Sequence, residues 1–554
     1  MVATRKREYE MRVESKVLPM TTYRSGLLHW ASRLARAMLA LIVVLLAMPE
    51  LASGKGAASA SPSAYVWSVP ERIPQYNNLL RAPYLVADRS GTVHAFDIEL
   101  SGTQEYAIFY RRWTPEAGWS APIDVLLPQF LGLAPSLRAV ILDGQDLLHM
   151  VFVSGDVQAG QVFYTNASLP DAGRAQAWAS PIAIDNDTVR DGSAAIAVDG
   201  EGRLVLVYGG KRFGAGLYAV VSEDSGATWS DPSVLARPAQ DGQAPGAIWL
   251  ELDGQGRIHV VWPVVNIQGL GEQIGYGRLD TTDLHFDQSA TLARRSSDLD
   301  LMGWPSIISR GAELIVVYQN GFPPTRWMRR SEDGGKTWTE AAQPFPHIGG
   351  YETAYLLKDS AGNVHMVTGN RQATPEIHGM WHSRMIGNQW LPLEPIISGP
   401  MTTTFDPCCV RALISQGNVL LATWPQNVRQ ESLTGAWYSY TYLNAPALPT
   451  AQPRVQTESA QGAVAASAEP SPVPEHVSTP ASQTLSSAQA AAPRGRVSPA
   501  ILIFLGASPV LFFVVVAFLK ERERTQNEWR IPAGGGAAET QGMDDQKDDD
   551  AASF

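Results

Sequence analysis

The segments DGEGRLVLVY, beginning at Asp199, and DGQGRIHVVW, beginning at Asp253, are two copies of a phrase that recurs between Tyr65 and Leu443. Each copy is a D-x-x-G turn between two apolar runs, a pattern that predicts a β-hairpin. Copies begin at Asp88, Asp143, Asp199, Asp253, Ser309, Asp359 and Ser415, the two serine copies being the weaker ones. Their spacing of about 54 residues is typical of propellers and solenoids.

A second phrase, an aromatic residue often followed by Ser or Thr and then Pro, also recurs, out of phase with the first. Its copies stand at Trp67, Trp119, Trp178, Trp229, Phe286, Trp338 and Trp390. The first copy precedes every hairpin, and the last hairpin has no copy after it. The N-terminal strand VWSVPERI would therefore complete the blade that begins near Cys408, leaving no open sheet edge. The sequence predicts an all-β, seven-bladed propeller closed by its two ends; six blades is the alternative.

Two copies of the second phrase are extended into an eight-residue motif, SEDSGATW at 222–229 and SEDGGKTW at 331–338. Both match the Asp-box pattern S-x-D-x-G-x-T-W, and over about 380 residues the chain resembles the Asp-box, sialidase-like propeller family. The resemblance implies that these boxes are structural and lie on the face opposite the catalytic one. The residues concerned are Ser222, Asp224, Gly226, Trp229, Ser331, Asp333, Gly335 and Trp338.

In propellers of this type, the residues that converge on the central axis come from the starts of the innermost strands and the loops after the second strands. The strand starts supply Arg81, Arg190, Asp191, Asp241, Asp300, Glu352 and Asp406, and the loops supply Asp97, Glu99, Arg212, Asn320 and Arg371. An arginine fork binds a carboxylate through two hydrogen bonds, so a mouth of this composition suits an acidic ligand. The ligand-binding candidates are Arg81, Arg371, Arg190 and Asp406.

The family resemblance also suggests catalytic candidates. Arg81 begins RAPYLVADRSGTVHAF, which looks like the R-I-P opening of a sialidase, whose arginine binds the substrate carboxylate with two others. Sialidase chemistry further uses a Tyr nucleophile, a Glu that activates it and an Asp acid. Tyr351, Glu352 and Asp97 are the candidates, although neighbours on one strand, such as Tyr351 and Glu352, point to opposite faces.

His94, His149, His259 and His365 fall at one place in four repeats. Because each belongs to the second strand of its own blade, away from the axis, we expect hydrogen-bonded packing residues rather than a metal ring. No metal and no cofactor is expected. The adjacent Cys408 and Cys409 form either a vicinal disulfide or two buried thiols.

Composition and the chain ends predict placement. With 43 Lys and Arg against 54 Asp and Glu, the net charge of −11 provides no basic field for nucleic acid. Residues 1–60 contain a short apolar run at 37–48 after basic residues, as in a signal peptide, with an uncleaved anchor as the alternative. Residues 444–498 predict a disordered stalk, 497–519 a membrane-spanning helix, and 520–554 an acidic cytoplasmic tail. The propeller, residues 65–443, would then lie outside a cell membrane.

Three functions follow as hypotheses. The first is a noncatalytic module that binds glycans, glycoproteins or another surface ligand at the propeller mouth. The second is a glycoside hydrolase of the exo-sialidase type, and the third is a protein–protein scaffold. The incomplete arginine set and the missing acid and nucleophile motifs favour binding over hydrolysis.

Overall fold

The computed structural model describes residues 65–76, 81–101, 106–126, 136–155, 160–188, 193–349, 354–371, 378–426, 428 and 433–450. The predicted signal region, the membrane-spanning segment, the acidic tail and all but the first residues of the stalk lie outside these ranges. Among the residues that are described, no helix is long and apolar enough to cross a bilayer.

The described chain forms antiparallel β-strands, with two one-turn 3₁₀ helices at Leu169–Asp171 and Ala175–Ala177. The first strand is β1 (Glu71–Arg72). Blade 1 contains β2 (Tyr84–Ala87), β3 (Val93–Leu100), β4 (Tyr106–Thr114), β5 (Gly118–Trp119) and β6 (Ile123–Leu126). Blade 2 contains β7 (Ser136–Leu142), β8 (Leu147–Gly155), β9 (Gly160–Ser168) and β10 (Ile182–Thr188). Blade 3 contains β11 (Ala194–Val198), β12 (Leu204–Gly210), β13 (Gly216–Ser222) and β14 (Ser233–Ala236).

The remaining blades follow in chain order. Blade 4 contains β15 (Ala244–Pro245), β16 (Trp249–Leu252), β17 (Ile258–Val265), β18 (Gly271–Asp280) and β19 (His285–Arg294). Blade 5 contains β20 (Gly303–Arg310), β21 (Glu313–Asn320), β22 (Thr325–Ser331) and β23 (Ala342–Phe345). Blade 6 contains β24 (Tyr355–Lys358), β25 (Val364–Asn370), β26 (His378–Ile386), β27 (Gln389–Trp390) and β28 (Glu394–Gly399). Blade 7 contains β29 (Arg411–Ser415), β30 (Val419–Gln426) and β31 (Gly435–Tyr442).

The predicted seven-bladed propeller is confirmed. The innermost strands β2, β7, β11, β16, β20, β24 and β29 neighbour one another in that order, and β29 neighbours β2 again, so the ring is closed. Each D-x-x-G turn joins the first and second strands of its blade. Blades 2 and 3 form one continuous sheet because β10 pairs with β12 at a single position, Thr188 opposite Gly210.

The seam between the two ends of the ring is also confirmed. Strand β1 pairs antiparallel with β31 as the fourth strand of blade 7. The backbone NH groups of Ser68 and Ile73 donate to the carbonyls of Tyr440 and Ala436, each at 2.8 Å. The side chain of Ile73 is fully buried, and Trp67 packs against the cluster between blades 6 and 7. Residues 65–73 therefore complete an outer sheet edge that would otherwise be exposed.

Alternating strand direction gives the ring two distinct faces. We call the face at which the innermost strands begin the mouth. The D-x-x-G turns and the turns between third and fourth strands lie on the opposite face. The chain leaves the ring there, since the Leu448 NH donates to the carbonyl of Gln416 at 2.8 Å and the Pro446 carbonyl accepts from Ser360.

Candidate functional site

The central mouth is lined by the first residues of the seven innermost strands. These residues are Tyr84, Ser136, Ala194, Trp249, Gly303, Tyr355 and Arg411. The Arg411 guanidinium carbon lies 3.2 Å from the ring centre of Tyr84, and the rings of Trp249 and Tyr355 meet edge to face at 5.0 Å. An arginine and three aromatic rings from blades 1, 4, 6 and 7 are thereby gathered around one axis.

A buried Tyr–Asp pair forms the wall of the mouth beside this group. The Tyr76 hydroxyl donates to the Asp97 carboxylate and lies 2.9 Å from the carbonyl oxygen of Arg81. Tyr76 is 1% exposed and Asp97 is 2% exposed. The Arg81 side chain is exposed, and its guanidinium donates to the Ser136 hydroxyl. Hydrogen bonds around the first innermost strand therefore connect Tyr76, Asp97 and Arg81 with the neighbouring blade.

Burial gives Asp97 unusual acid–base properties. Removal from water raises the pKa of its carboxyl to about 6, although the Tyr76 hydroxyl and the charges of Arg411 and Arg81 oppose this rise. The pKa of Tyr76 is raised well above its usual value by burial, and then by the charges of Asp97 and Glu99. Near neutral pH the pair thus holds a protonated tyrosine against a carboxylate close to its titration midpoint.

The raised pKa of Asp97 predicts a pH-dependent stability difference. A carboxyl with a raised folded-state pKa stabilises the fold most below its unfolded value near 4, and that contribution is lost as the pH rises through about 6. We expect the free energy of unfolding of the unmodified protein to fall relative to Asp97→Asn by about 2–3 kcal/mol between pH 4 and pH 7. Denaturant unfolding at several pH values measures this difference. A relative rise over the same interval would contradict the assignment.

Glu99 and Arg111 form a second buried pair behind Tyr76. Both side chains are at most 2% exposed. The Arg111 guanidinium donates to both oxygens of Glu99 and, at 2.7 Å, to the carbonyl of Gln75, and it lies over the Tyr76 ring at 5.1 Å. The ion pair therefore fixes the loop that carries Tyr76, and Glu99 supports the mouth rather than facing a ligand.

Two ligand-binding candidates, Arg371 and Asp406, are paired with each other. The Arg371 Nε and Nη2 atoms lie 3.1 and 2.8 Å from the two carboxylate oxygens of Asp406. The buried His378 Nε2 lies 2.9 Å from the same carboxylate. Burial opposes ionisation, but the contacts with His378 and Arg371 lower the pKa of Asp406. This cluster connects blade 6 to the loop before blade 7. The Arg371 fork, which the sequence analysis assigns to an acidic ligand, is occupied by the Asp406 carboxylate.

The other mouth candidates have different surroundings. Arg190, Tyr351 and Glu352, together with Asp191, lie outside the described residues. Asp241 and Arg212 are exposed, and Asn320 ends the second strand of blade 5. Asp300 accepts hydrogen bonds from Ser296 and Ser297, so its carboxylate stabilises the turn at residues 296–300.

Both Asp-box motifs form tight turns on the face opposite the mouth. Asp224 accepts from the Thr228 NH at 2.8 Å and from its hydroxyl at 2.6 Å, while the Ser222 oxygen accepts from the Gly226 NH at 2.8 Å. Ser331, Asp333, Gly335 and Thr337 repeat these contacts. The φ angles of Gly226 and Gly335 are +91° and +92°, and a Cβ at either position would collide with a tyrosine of the preceding blade.

Those two tyrosines belong to networks that contain the repeated histidines. Tyr164 packs edge to face on Trp229 at 4.9 Å, and its hydroxyl lies 2.7 Å from His149 Nδ1. His149 Nε2 lies 3.2 Å from the Asp143 carboxylate of its own turn. Equivalent contacts link Asp253, His259, Tyr276 and Trp338, and shorter networks contain His94 and His365. In these four blades the histidine therefore joins the hairpin turn to the third strand of the same blade.

The described ranges also contain the adjacent cysteines and the other side chains that could bind a metal. No group of three His, Cys, Asp or Glu side chains there has the arrangement of a metal site. Cys408 and Cys409 are thiols, of which Cys408 is buried and Cys409 is exposed. They precede the innermost strand of blade 7.

Sequence reasoning misses four residues at the centre of the mouth and one residue of its wall. Tyr76, Tyr84, Trp249, Tyr355 and Arg411 are not among the candidates, which consist mainly of charged and amide residues. Four of them are the first residues of innermost strands. The phase of the repeat can identify those four if aromatic residues are considered together with charged ones.

No protein-family model and no curated protein matches the chain. Solved structures with a similar fold include a protein of unknown function from Dyadobacter fermentans, at 15% identity over 56% of this chain and 94% of that one, with a TM-score of 0.39. An ulvan lyase of a polysaccharide lyase family has 12% identity over 68% and 95%, with a TM-score of 0.45. A point mutant of the NanB sialidase from Streptococcus pneumoniae has 11% identity over 70% and 72%, with a TM-score of 0.39. These likenesses concern the fold alone.

Proposed function

We propose that this propeller binds an acidic saccharide at its mouth without cleaving it. The observation that carries the proposal is an unsatisfied hydrogen-bond donor on Arg411. Its Nη1 atom has no hydrogen-bond partner among the described residues, although the guanidinium lies at the axis and against Tyr84. A buried donor without a partner costs about 1–3 kcal/mol, which an oxygen of a bound carboxylate would recover.

The surroundings of Arg411 suit a saccharide. Tyr84, Trp249 and Tyr355 provide apolar ring surface, while Arg81, Ser136 and Asp97 provide polar groups at the same end of the innermost strands. A few polar groups among aromatic side chains are the usual composition of a small-molecule site. Arg411 and the exposed Arg81 supply two positive charges for the acid group.

Binding is favoured over hydrolysis by the protonation of Tyr76, the tyrosine that is hydrogen-bonded to an acid in the wall of the mouth. A tyrosine nucleophile must lose its proton easily, whereas burial and the charges of Asp97 and Glu99 raise the pKa of Tyr76. Its hydroxyl is also directed at two acceptors, Asp97 and the Arg81 carbonyl. One observation favours a glycoside hydrolase as the second candidate: the pKa of Asp97, about 6, suits a general acid.

The test compares sialyllactose with lactose, which differ by one acidic sugar, using titration calorimetry. We expect the acidic ligand to bind more tightly, and Arg411→Gln to weaken its binding by roughly 10- to 100-fold, the effect of one lost charge-assisted contact. Arg81→Ala should weaken it as well. Arg89 is an exposed arginine in a turn of the opposite face, so Arg89→Gln is the matched control and should bind normally.

Two outcomes would change the proposal. Equal binding of lactose and sialyllactose, or binding unaffected by Arg411→Gln, would remove the acidic-saccharide assignment. Release of a fluorogenic aglycone from a sialoside, abolished by Asp97→Asn, would replace it with the hydrolase.

A further inference from the structure

A large cavity lies away from the axis, between blades 3 and 4. It has a volume of about 770 Å³, and a smaller cavity of about 350 Å³ adjoins it. The two share Gln240, Gln243, Glu272 and Arg295 as lining residues. Together they form one continuous groove, which we call the 3–4 groove, and which has the size of a small-molecule site.

An aromatic pair packs on two glycines of blade 4 beside the groove. The rings of Trp262 and Phe286 stack at 5.4 Å with an angle of 16° between their planes. Trp262 lies directly over Gly275 and Phe286 over Gly277, where a Cβ would collide with the rings. The aromatic rings therefore lie against the backbone of blade 4, and Trp262 is buried in the cluster between blades 3 and 4.

The charges along the groove are unbalanced. Arg237 and Arg294 are exposed in its lining, and neither forms an ion pair with a described residue. Arg295, by contrast, pairs with Glu272 at 2.8 Å, and the Glu272 carboxylate also accepts from the Asn266 amide at 2.7 Å. The whole groove thus has three arginines against two acids, the paired Glu272 and the exposed Asp241 of the smaller cavity, within a chain of net charge −11. An anionic ligand would find a local positive potential there.

We propose that the 3–4 groove is a second binding site, which takes an extended anionic oligosaccharide independently of the mouth. Its amide and hydroxyl groups, from Gln240, Gln243, Gln273, Ser289 and Thr291, can both donate and accept, as sugar hydroxyls require. The half-buried Phe286, stacked on the buried Trp262, supplies apolar surface, and Arg237 and Arg294 supply the forks for carboxylate or sulfate groups. The combined volume of the two adjoining cavities favours several sugar units over one.

The probes are oligogalacturonate of about six units, with neutral maltohexaose as its uncharged comparison, measured by calorimetry on the whole ring. Loss of two charge-assisted contacts should weaken oligogalacturonate binding by about 100-fold or more in Arg237→Gln/Arg294→Gln. Arg89→Gln/Arg112→Gln removes two exposed arginines of blade 1 and should have no such effect. Thr291→Trp, a change in β19 at the lining of the groove, should block the groove sterically and abolish binding while the ring stays folded.

The outcomes separate this site from the mouth. These measurements are made in an Arg411→Gln/Arg81→Ala background, in which acid binding at the mouth is already weakened. Failure of the mouth proposal and failure of this one therefore give different results. If Arg237→Gln/Arg294→Gln and Arg89→Gln/Arg112→Gln lose the same oligogalacturonate affinity, binding depends only on the net charge of the protein and the proposal is wrong. Tighter binding of poly-glutamate than of oligogalacturonate, sensitive to Thr291→Trp, would assign the groove to an acidic peptide instead.

Discussion

Deleting residues 65–73 is expected to abolish most of the stability of the propeller. The deletion removes Ile73, whose side chain is fully buried, and strips Trp67 from the packing between blades 6 and 7. Loss of one buried aliphatic side chain costs about 2–5 kcal/mol, and whole domains are stable by only about 5–15 kcal/mol. The hydrogen bonds to β31 are lost at the same time, and its edge is left open to aggregation.

Thermal unfolding and the soluble yield measure the effect. We expect a fall in melting temperature of well over about 10 °C, or no soluble protein. Val66 and Val69 are 88% and 79% exposed within the same segment, so Val66→Ser/Val69→Ser is the control and should melt like the parent. A deletion variant that melts cooperatively at the parental temperature would show that the seam does not contribute to ring stability.

Arg111→Met should have the second largest effect, because it removes the arginine that forms an ion pair with a buried carboxylate. Glu99 is 1% exposed, and Arg111 donates to both of its oxygens. Breaking such a pair from one side costs about 3–5 kcal/mol, since the remaining charge stays in a low-dielectric environment. Arg111 also holds the Gln75 carbonyl, so the variant should loosen the loop that carries Tyr76.

The matched control for this variant replaces both charges. Arg111→Met/Glu99→Met has no unpaired buried charge, and an apolar pair of similar volume is often as stable as the ion pair. We therefore expect denaturant unfolding to show a large loss in Arg111→Met and recovery of most of it in the double variant. If the double variant is as unstable as the single one, the loss comes from packing or from the Gln75 contact rather than from the charge on Glu99.

The ring could be predicted from sequence because its signals are local and repeated. The turns that begin at Asp199 and Asp253 lie next to the strands that they connect, and the missing aromatic phrase after Ser415 indicates where the ring closes. Each of these inferences depends on residues within one repeat. Chain connectivity then places the blades in order without knowledge of any long-range contact.

The site was harder to predict because its contacts cross between blades. Arg411 touches Tyr84 although more than half of the chain separates them, and nothing in either repeat indicates this contact. Arg371 and Asp406 could each be placed near the mouth, but their bidentate pairing depends on loop conformation. Tyr76 lies in the connection after β1, outside the strand pattern altogether. The binding groups of the mouth therefore come together through contacts between different blades and loops, and the repeat pattern alone does not encode these contacts.

The position at which the chain leaves the ring has a mechanical consequence. Residues 446 and 448 are held by the turns of blades 6 and 7, on the face opposite the mouth, and Tyr65 packs on that side against His365 and His382. A pull on the chain beyond residue 450 therefore reaches these contacts before it reaches β31. Tension applied to the chain from that end would hold the mouth turned away from the point at which the force is applied.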